Sequence, residues 1–89
     1  MVTSLLRKSG VYCIKNTVNS KLYIGSSFNL AKRLAVHKRD LNSSNHHSLK
    51  LQRAWNKYGS EAFVFEILLF CHKKDCRFFE QWRRNRLGR

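Results

Sequence analysis

The sequence predicts a small α/β (α+β) fold: a three-stranded, mainly antiparallel sheet flanked by helices, in the order β-β-α-α-β-α. Three observations predict it. Two short segments rich in β-branched and aromatic residues are separated by a short polar stretch, the pattern of a hairpin. Two segments with apolar residues at helical spacing follow. A nearly continuous apolar run then supplies a third strand, and a last helix closes the chain.

The first strand is 10–15, Gly-Val-Tyr-Cys-Ile-Lys, where β-branched and aromatic side chains suit a pleated surface. Alternation puts Tyr12 and Ile14 on one face. Asn16-Thr17-Val18-Asn19-Ser20 is turn-like. Residues 21–25, Lys-Leu-Tyr-Ile-Gly, form the second strand, with Tyr23 and Gly25 on one face and Leu22 and Ile24 on the other. Ser26-Ser27 offers hydroxyls to cap a helix that runs from about Phe28 to Leu41. Leu30, Leu34 and Leu41 make its apolar stripe; His37 falls within the stripe and Arg33 on its edge.

Residues 42–47, Asn-Ser-Ser-Asn-His-His, form a polar loop. The next helix runs from about Ser48 to Tyr58 and stops at Gly59, a residue suited to ending a helix. Leu51, Ala54, Trp55 and Tyr58 share one face of it, with Lys50, Arg53 and Lys57 opposite. The run 62–70, Ala-Phe-Val-Phe-Glu-Ile-Leu-Leu-Phe, suits a strand buried on both faces. The last helix starts near Asp75 as its cap and carries Phe78, Phe79, Glu80 and Trp82.

Eighty-nine residues suffice for a single domain, 1–89, with a modest core. Eighteen Lys and Arg against five acids give a formal charge of +13 and a pI near 10.4. Such an excess repels itself in a compact chain and is most simply explained by a polyanionic partner, with nucleic acid first. A membrane is not expected. There is no long helix with one bulky apolar and one basic face, and no apolar run approaches the roughly 18 residues of a spanning helix. Met1 to Lys8 lacks the apolar stretch of a signal peptide. Cys13, Cys71 and Cys76 are odd in number, which argues against a disulfide framework and favours an intracellular, reducing location. The spacing of Cys71, His72 and Cys76 matches no common zinc knuckle.

Gly10-Val11-Tyr12 followed by Tyr23-Ile24-Gly25 on the next strand resembles the signature of the GIY-YIG nucleases, with Val in place of Ile. Arg33 and His37 follow at the family's spacing, and Glu80, in Phe79-Glu80-Gln81-Trp82, matches the family's metal-binding glutamate. Lys50-Leu51-Gln52-Arg53, Trp55-Asn56-Lys57-Tyr58-Gly59 and the Phe-rich strand are also similar to the catalytic domains of phage and intron-encoded homing endonucleases. The resemblance spans residues 8–82.

It implies a DNA endonuclease using Mg²⁺ (or Mn²⁺), with Tyr12, Tyr23, Arg33, His37 and Glu80 as catalytic residues and Glu80 as the metal ligand. The chemistry agrees. A carboxylate anchors a hard cation that keeps its waters, and the chain has only five acids from which to draw one: Asp40, Glu61, Glu66, Asp75 and Glu80. A guanidinium fork at Arg33 suits a phosphate. The resemblance implies a tyrosine general base, with Tyr12 the first choice and Tyr23 positioning water or phosphate. The two roles are interchangeable on the sequence alone. His37 is placed to orient Tyr12 or relay its proton. Lys32, Lys38, Arg39, Lys50, Arg53 and Lys57 are expected to contact DNA phosphates, and His46, which falls where related nucleases carry a histidine, is expected to contact DNA with them. A monomer is expected, with transient pairing on DNA open.

The tail departs from the family. After Glu80 comes Arg83-Arg84-Asn85-Arg86-Leu87-Gly88-Arg89 where an apolar continuation and a later asparagine are usual. A second reading follows: a basic nucleic-acid-binding domain that has lost activity.

Overall fold

The computed structural model describes residues 8–87, and of Arg86 and Leu87 the backbone only. Residues 1–7, part of the stretch read for a signal segment, and Gly88-Arg89 of the tail lie outside them. The elements are β1 (Gly10–Asn16), β2 (Leu22–Ser27), α1 (Leu30–Asn42), α2 (Leu49–Tyr58), β3 (Phe63–Phe70) and α3 (Cys76–Leu87). This is the predicted order. Short 3-10 turns at Ser60–Ala62 and Lys73–Asp75 lead into β3 and α3.

The sheet is antiparallel throughout, in the order β2-β1-β3. In the hairpin turn Asn16 Oδ1 accepts from the Val18 amide and Asn19 Oδ1 from the Lys21 amide. Ser20 takes a positive φ of 63°. Asparagine side chains that fold back on their own backbone set such turns.

β1 is central, and both its faces are buried. Tyr12 and Ile14 join Leu30, Leu41, Leu51, Trp55 and Phe63 in a cluster roofed by α1 and α2. Val11 and Cys13 join Ile24 on the other face, against Phe79 of α3. The sheet therefore lies between two helical layers. The expectation that 62–70 is the strand buried on both faces is corrected. β3 pairs only with β1 among the described strands, and Val64 and Phe70 are exposed. An unbroken apolar run signals burial, but the strand that gains it is the one with a neighbour on each side. Pairing of β1 with β3 shifts register between Val11 and Tyr12. Such a bulge re-aims the side chains beside it.

The helices follow the predicted faces. Leu30, His37 and Leu41 are buried on α1. Leu51 and Trp55 are buried on α2, with Gln52 beside them. Gly59 ends α2 at φ 88°, a conformation glycine adopts without cost. The start of α1 differs from expectation. Ser26 and Ser27 remain in β2, and the cap is Asn29, whose side chain accepts from the Lys32 amide at 3.1 Å. Both serine hydroxyls are engaged elsewhere: Ser27 Oγ bonds to Asn29, and Ser26 Oγ donates to Glu80. Phe28 is left outside the helix.

Candidate active site

Tyr12 leaves β1 opposite Gly25 of β2. A Cβ at Gly25 would come within 2.5 Å of Tyr12 Oη and 2.7 Å of Cζ, so the phenol lies across the place where a side chain would be. The YIG glycine is thus space for the other strand's tyrosine.

From there a chain of hydrogen bonds runs inward. Tyr12 Oη meets His37 Nε2 at 2.6 Å, and His37 Nδ1 meets His46 Nε2 at 2.7 Å. The Ser48 backbone amide donates to His46 Nδ1 at 3.0 Å. An amide can only donate, and this fixes the tautomers in turn. His46 carries its proton on Nε2 and donates to His37 Nδ1. His37 carries its proton on Nε2 and donates to Tyr12 Oη. The phenol oxygen is therefore an acceptor, and its own proton points away from the relay. Burial, with Arg33 and the other histidines adding to it, pushes His37 down to about 4, so the ring is neutral at neutral pH. Burial also lowers His46.

Burial raises the Tyr12 phenol, and Arg33 beside it works in the opposite direction. Tyr23 is raised by burial as well, again opposed by Arg33. Glu80 acts on both phenols and Arg33 on both phenols and both buried histidines. Tyr12, Tyr23, Arg33, His37 and Glu80 are thereby brought together. Tyr12 is 2% exposed. Tyr23 is half-buried, and its hydroxyl meets His47 Nε2 at 3.2 Å.

Glu80 reaches this centre from α3. Its Oε1 accepts from Ser26 Oγ at 2.6 Å, and its Oε2 accepts from Arg84 Nη2 at 2.5 Å. The same Arg84 nitrogen donates to the Ile24 carbonyl at 2.8 Å. Among the described residues no set of three or more His, Cys, Asp or Glu gathers as a metal site. One carboxylate and one adjacent hydroxyl are hard oxygen donors that suit Mg²⁺ or Mn²⁺ when waters and phosphate oxygens supply the rest. The residues fit such an ion once Arg84 gives up Oε2.

Two basic grooves flank the centre. Lys50, Arg53 and Lys57 line one, together with Lys21 and Tyr23. Arg33 and Glu80 line the other, with Lys73, Lys74 and Arg77. The remaining predicted contacts are scattered: Lys32 is exposed on α1, Lys38 lies over the Phe65 ring, and Arg39 pairs with Asp40. His46 as a DNA contact is corrected. It is 5% exposed and spends both ring nitrogens inside the protein. His47 is the histidine that faces outward.

Sequence reasoning missed His47, Ser26, Arg84, Lys73, Lys74 and Arg77. Adjacency of two histidines in an extended loop was the available signal, since neighbours there face opposite ways. It also missed Gln52. Its Oε1 accepts from the His46 amide while its Nε2 donates to the Leu41 carbonyl, holding the histidine loop against α1.

Residues 8–81 match the profile of the GIY-YIG catalytic domain. The chain belongs to the GIY-YIG family. Within that family it is 51% identical over 59 residues to intron-associated endonuclease 1 of Enterobacteria phage T4, over 66% of this chain and 23% of that protein. It is 40% identical over 60 residues to a probable intron-encoded endonuclease 1 of Neurospora crassa, over 67% of this chain and 18% of that protein. The chain thus spans about a fifth of the length of the curated relatives it matches. The solved catalytic domain of the homing endonuclease I-TevI superimposes with a TM-score of 0.81 at 38% identity, covering 91% of this chain and 89% of that one. A substituted form of the same domain gives the same score.

Proposed function

We propose that this GIY-YIG chain is a metal-dependent endonuclease that hydrolyses phosphodiester bonds in DNA, the catalytic module of a homing-endonuclease-like protein. One observation carries the reading. Two phenols, an arginine and a lone carboxylate act on one another between two grooves lined with cations. Polyanion backbone tracks along such grooves, and its phosphate is what those groups recognise.

Arg33 holds the scissile phosphate and neutralises charge that develops on it. Tyr12, as phenolate, takes the proton of the attacking water. His37 stabilises that phenolate by donating to its oxygen; with its Nε2 already protonated it does not accept the phenol's proton. Tyr23, half-exposed, positions the water or phosphate. Glu80 and Ser26 hold Mg²⁺ or Mn²⁺, whose contribution when bound is Lewis-acid stabilisation of the phosphoryl group and leaving oxygen. Lys50, Arg53 and Lys57 contact neighbouring phosphates without reading sequence. The module acts as a monomer, and one site cuts one strand at a time.

A second reading, a basic nucleic-acid-binding domain that has lost activity, is favoured by the tail. Arg84 occupies a Glu80 oxygen, and among the described residues the buried Arg83 Nε meets no hydrogen-bond acceptor. Plasmid nicking separates the two. Wild type, Arg33→Ala and Glu80→Ala are compared in Mg²⁺ and in EDTA. Nicking by wild type in Mg²⁺ alone, lost in both variants, is expected. Cutting in EDTA, or cutting unaffected by Glu80→Ala, sinks the mechanism. Salt-sensitive binding without any cutting favours the second reading.

A further inference from the structure

Phe28 occupies the turn between β2 and α1 and is 61% exposed. The turn is pinned on both sides. Ser27 Oγ accepts from the Asn29 amide and donates to the Asn29 carbonyl, each at 3.0 Å, and Asn29 caps α1. An exposed phenylalanine on a fixed turn leaves apolar surface in water, which burial against a partner relieves. Its surroundings identify the partner. The ring is a wall of the groove that holds Arg33 and Glu80. Among the described residues it is the one aromatic side chain lining that groove, beside Arg33, Lys73, Lys74 and Arg77. Lys73 Nζ lies 5.7 Å from its centroid.

An apolar protein segment would have to bring this cationic rim into contact with itself, and like-charged or apolar surfaces do not repay that desolvation. Nucleic acid satisfies both features at once: its phosphates meet the cations, and a base face meets the ring. Bases in a regular duplex present only their edges to the grooves. A ring therefore gains stacking only from a base already displaced, or by entering a step that it kinks open.

We propose that Phe28 is a stacking residue that receives an unstacked base of the DNA strand beside the phosphate held by Arg33. The site thereby prefers DNA that is bulged, mismatched or easily kinked there. This rests on the nuclease reading for the position of the phosphate, and deepens it by naming a feature of the substrate.

The test is binding, measured in EDTA so that no cutting is needed. Fluorescent duplexes, one fully paired and one with a single-base bulge, are titrated with wild type, Phe28→Ala and Phe28→Trp. Base–aromatic stacking corresponds to roughly 5- to 150-fold in affinity. Wild type should prefer the bulged duplex within that range, Phe28→Ala should bind both duplexes alike, and Phe28→Trp should keep the preference. A 2-aminopurine at the bulge should be quenched by wild type and Phe28→Trp but not by Phe28→Ala. No preference in wild type, no measurable binding at low salt, or a preference that survives Phe28→Ala overturns the proposal. Plasmid nicking in Mg²⁺ distinguishes the failures. Nicking without a Phe28-dependent preference ends the stacking proposal alone, whereas preference without nicking ends the nuclease reading and leaves the stacking surface.

Discussion

Tyr12 and Tyr23 stand on neighbouring strands, yet their oxygens live in different surroundings. Tyr12 Oη is buried and accepts from His37, whereas Tyr23 Oη is accessible and meets an exposed histidine. Burial holds both phenols above their usual value. A base whose pKa exceeds the working pH is scarce in its active form, and that form increases tenfold per pH unit. Single-turnover cleavage should therefore rise with a slope near one in log rate from about pH 6 to pH 9. Tyr12→Phe should abolish that slope and cost at least about 100-fold; Tyr23→Phe should cost less and keep it. If instead Tyr23→Phe removes the slope, the two roles are exchanged. His37→Gln, which can still donate to the phenol, should retain more activity than His37→Leu; equal loss would show that the donor does not matter. Arg84 is a second residue-scale matter. It competes with a cation for Glu80 Oε2, so Arg84→Ala should tighten Mn²⁺ binding to the free chain several-fold by calorimetry. Unchanged affinity would mean that Arg84 leaves Oε2 without cost.

At the scale of elements, the hairpin is where sequence and site coincide. Gly10-Val11-Tyr12 and Tyr23-Ile24-Gly25 lie on adjacent strands in the expected order, with Tyr12 directly opposite Gly25. Period-two alternation was enough to put both tyrosines on the α1 face. Helical periodicity likewise placed Leu30, His37 and Leu41 inward. What stayed hidden was tertiary competition for short polar side chains. Ser26 looked like a helix cap, but the carboxylate of a residue fifty-four positions away engages its hydroxyl, and Asn29 takes over the capping. Local propensity contains no term for such a partner. The hairpin gives a direct test. Gly25→Ala forces a methyl onto the Tyr12 phenol. Overpacking of this kind costs about 1–3 kcal/mol. Unfolding should come several degrees lower and cleavage should fall well beyond the stability loss, because the phenol is pushed off His37. A variant with normal melting and normal cleavage would remove Gly25 from the site.

Across the whole molecule, +13 of formal charge makes protonation a liability, and the histidine relay is where it is felt. His37 lies between Tyr12, Arg33, Asp40, His46 and His47. Its folded value of about 4 is below the usual 6.5. Between those two values the unfolded chain holds a proton that the folded chain refuses, so stability rises with pH across the window. Acidification from about pH 6.5 to pH 4 should therefore remove stability, on the order of 3 kcal/mol for His37 alone, and the loss is complete once both states are protonated. His46, lowered in the same direction, adds to it. Charge composition made a polyanionic partner legible and periodicity placed His37 inward, but not this sensitivity, because nothing in the sequence shows that His46 is buried against His37. Melting should drop by roughly 10–20 °C between pH 7 and pH 4 in a chain of this size. His37→Gln, less stable at pH 7, should show a much flatter dependence. A wild-type curve that is flat over that range would mean that the relay histidines take up protons in the fold as readily as in the unfolded chain, and that burial does not hold them neutral.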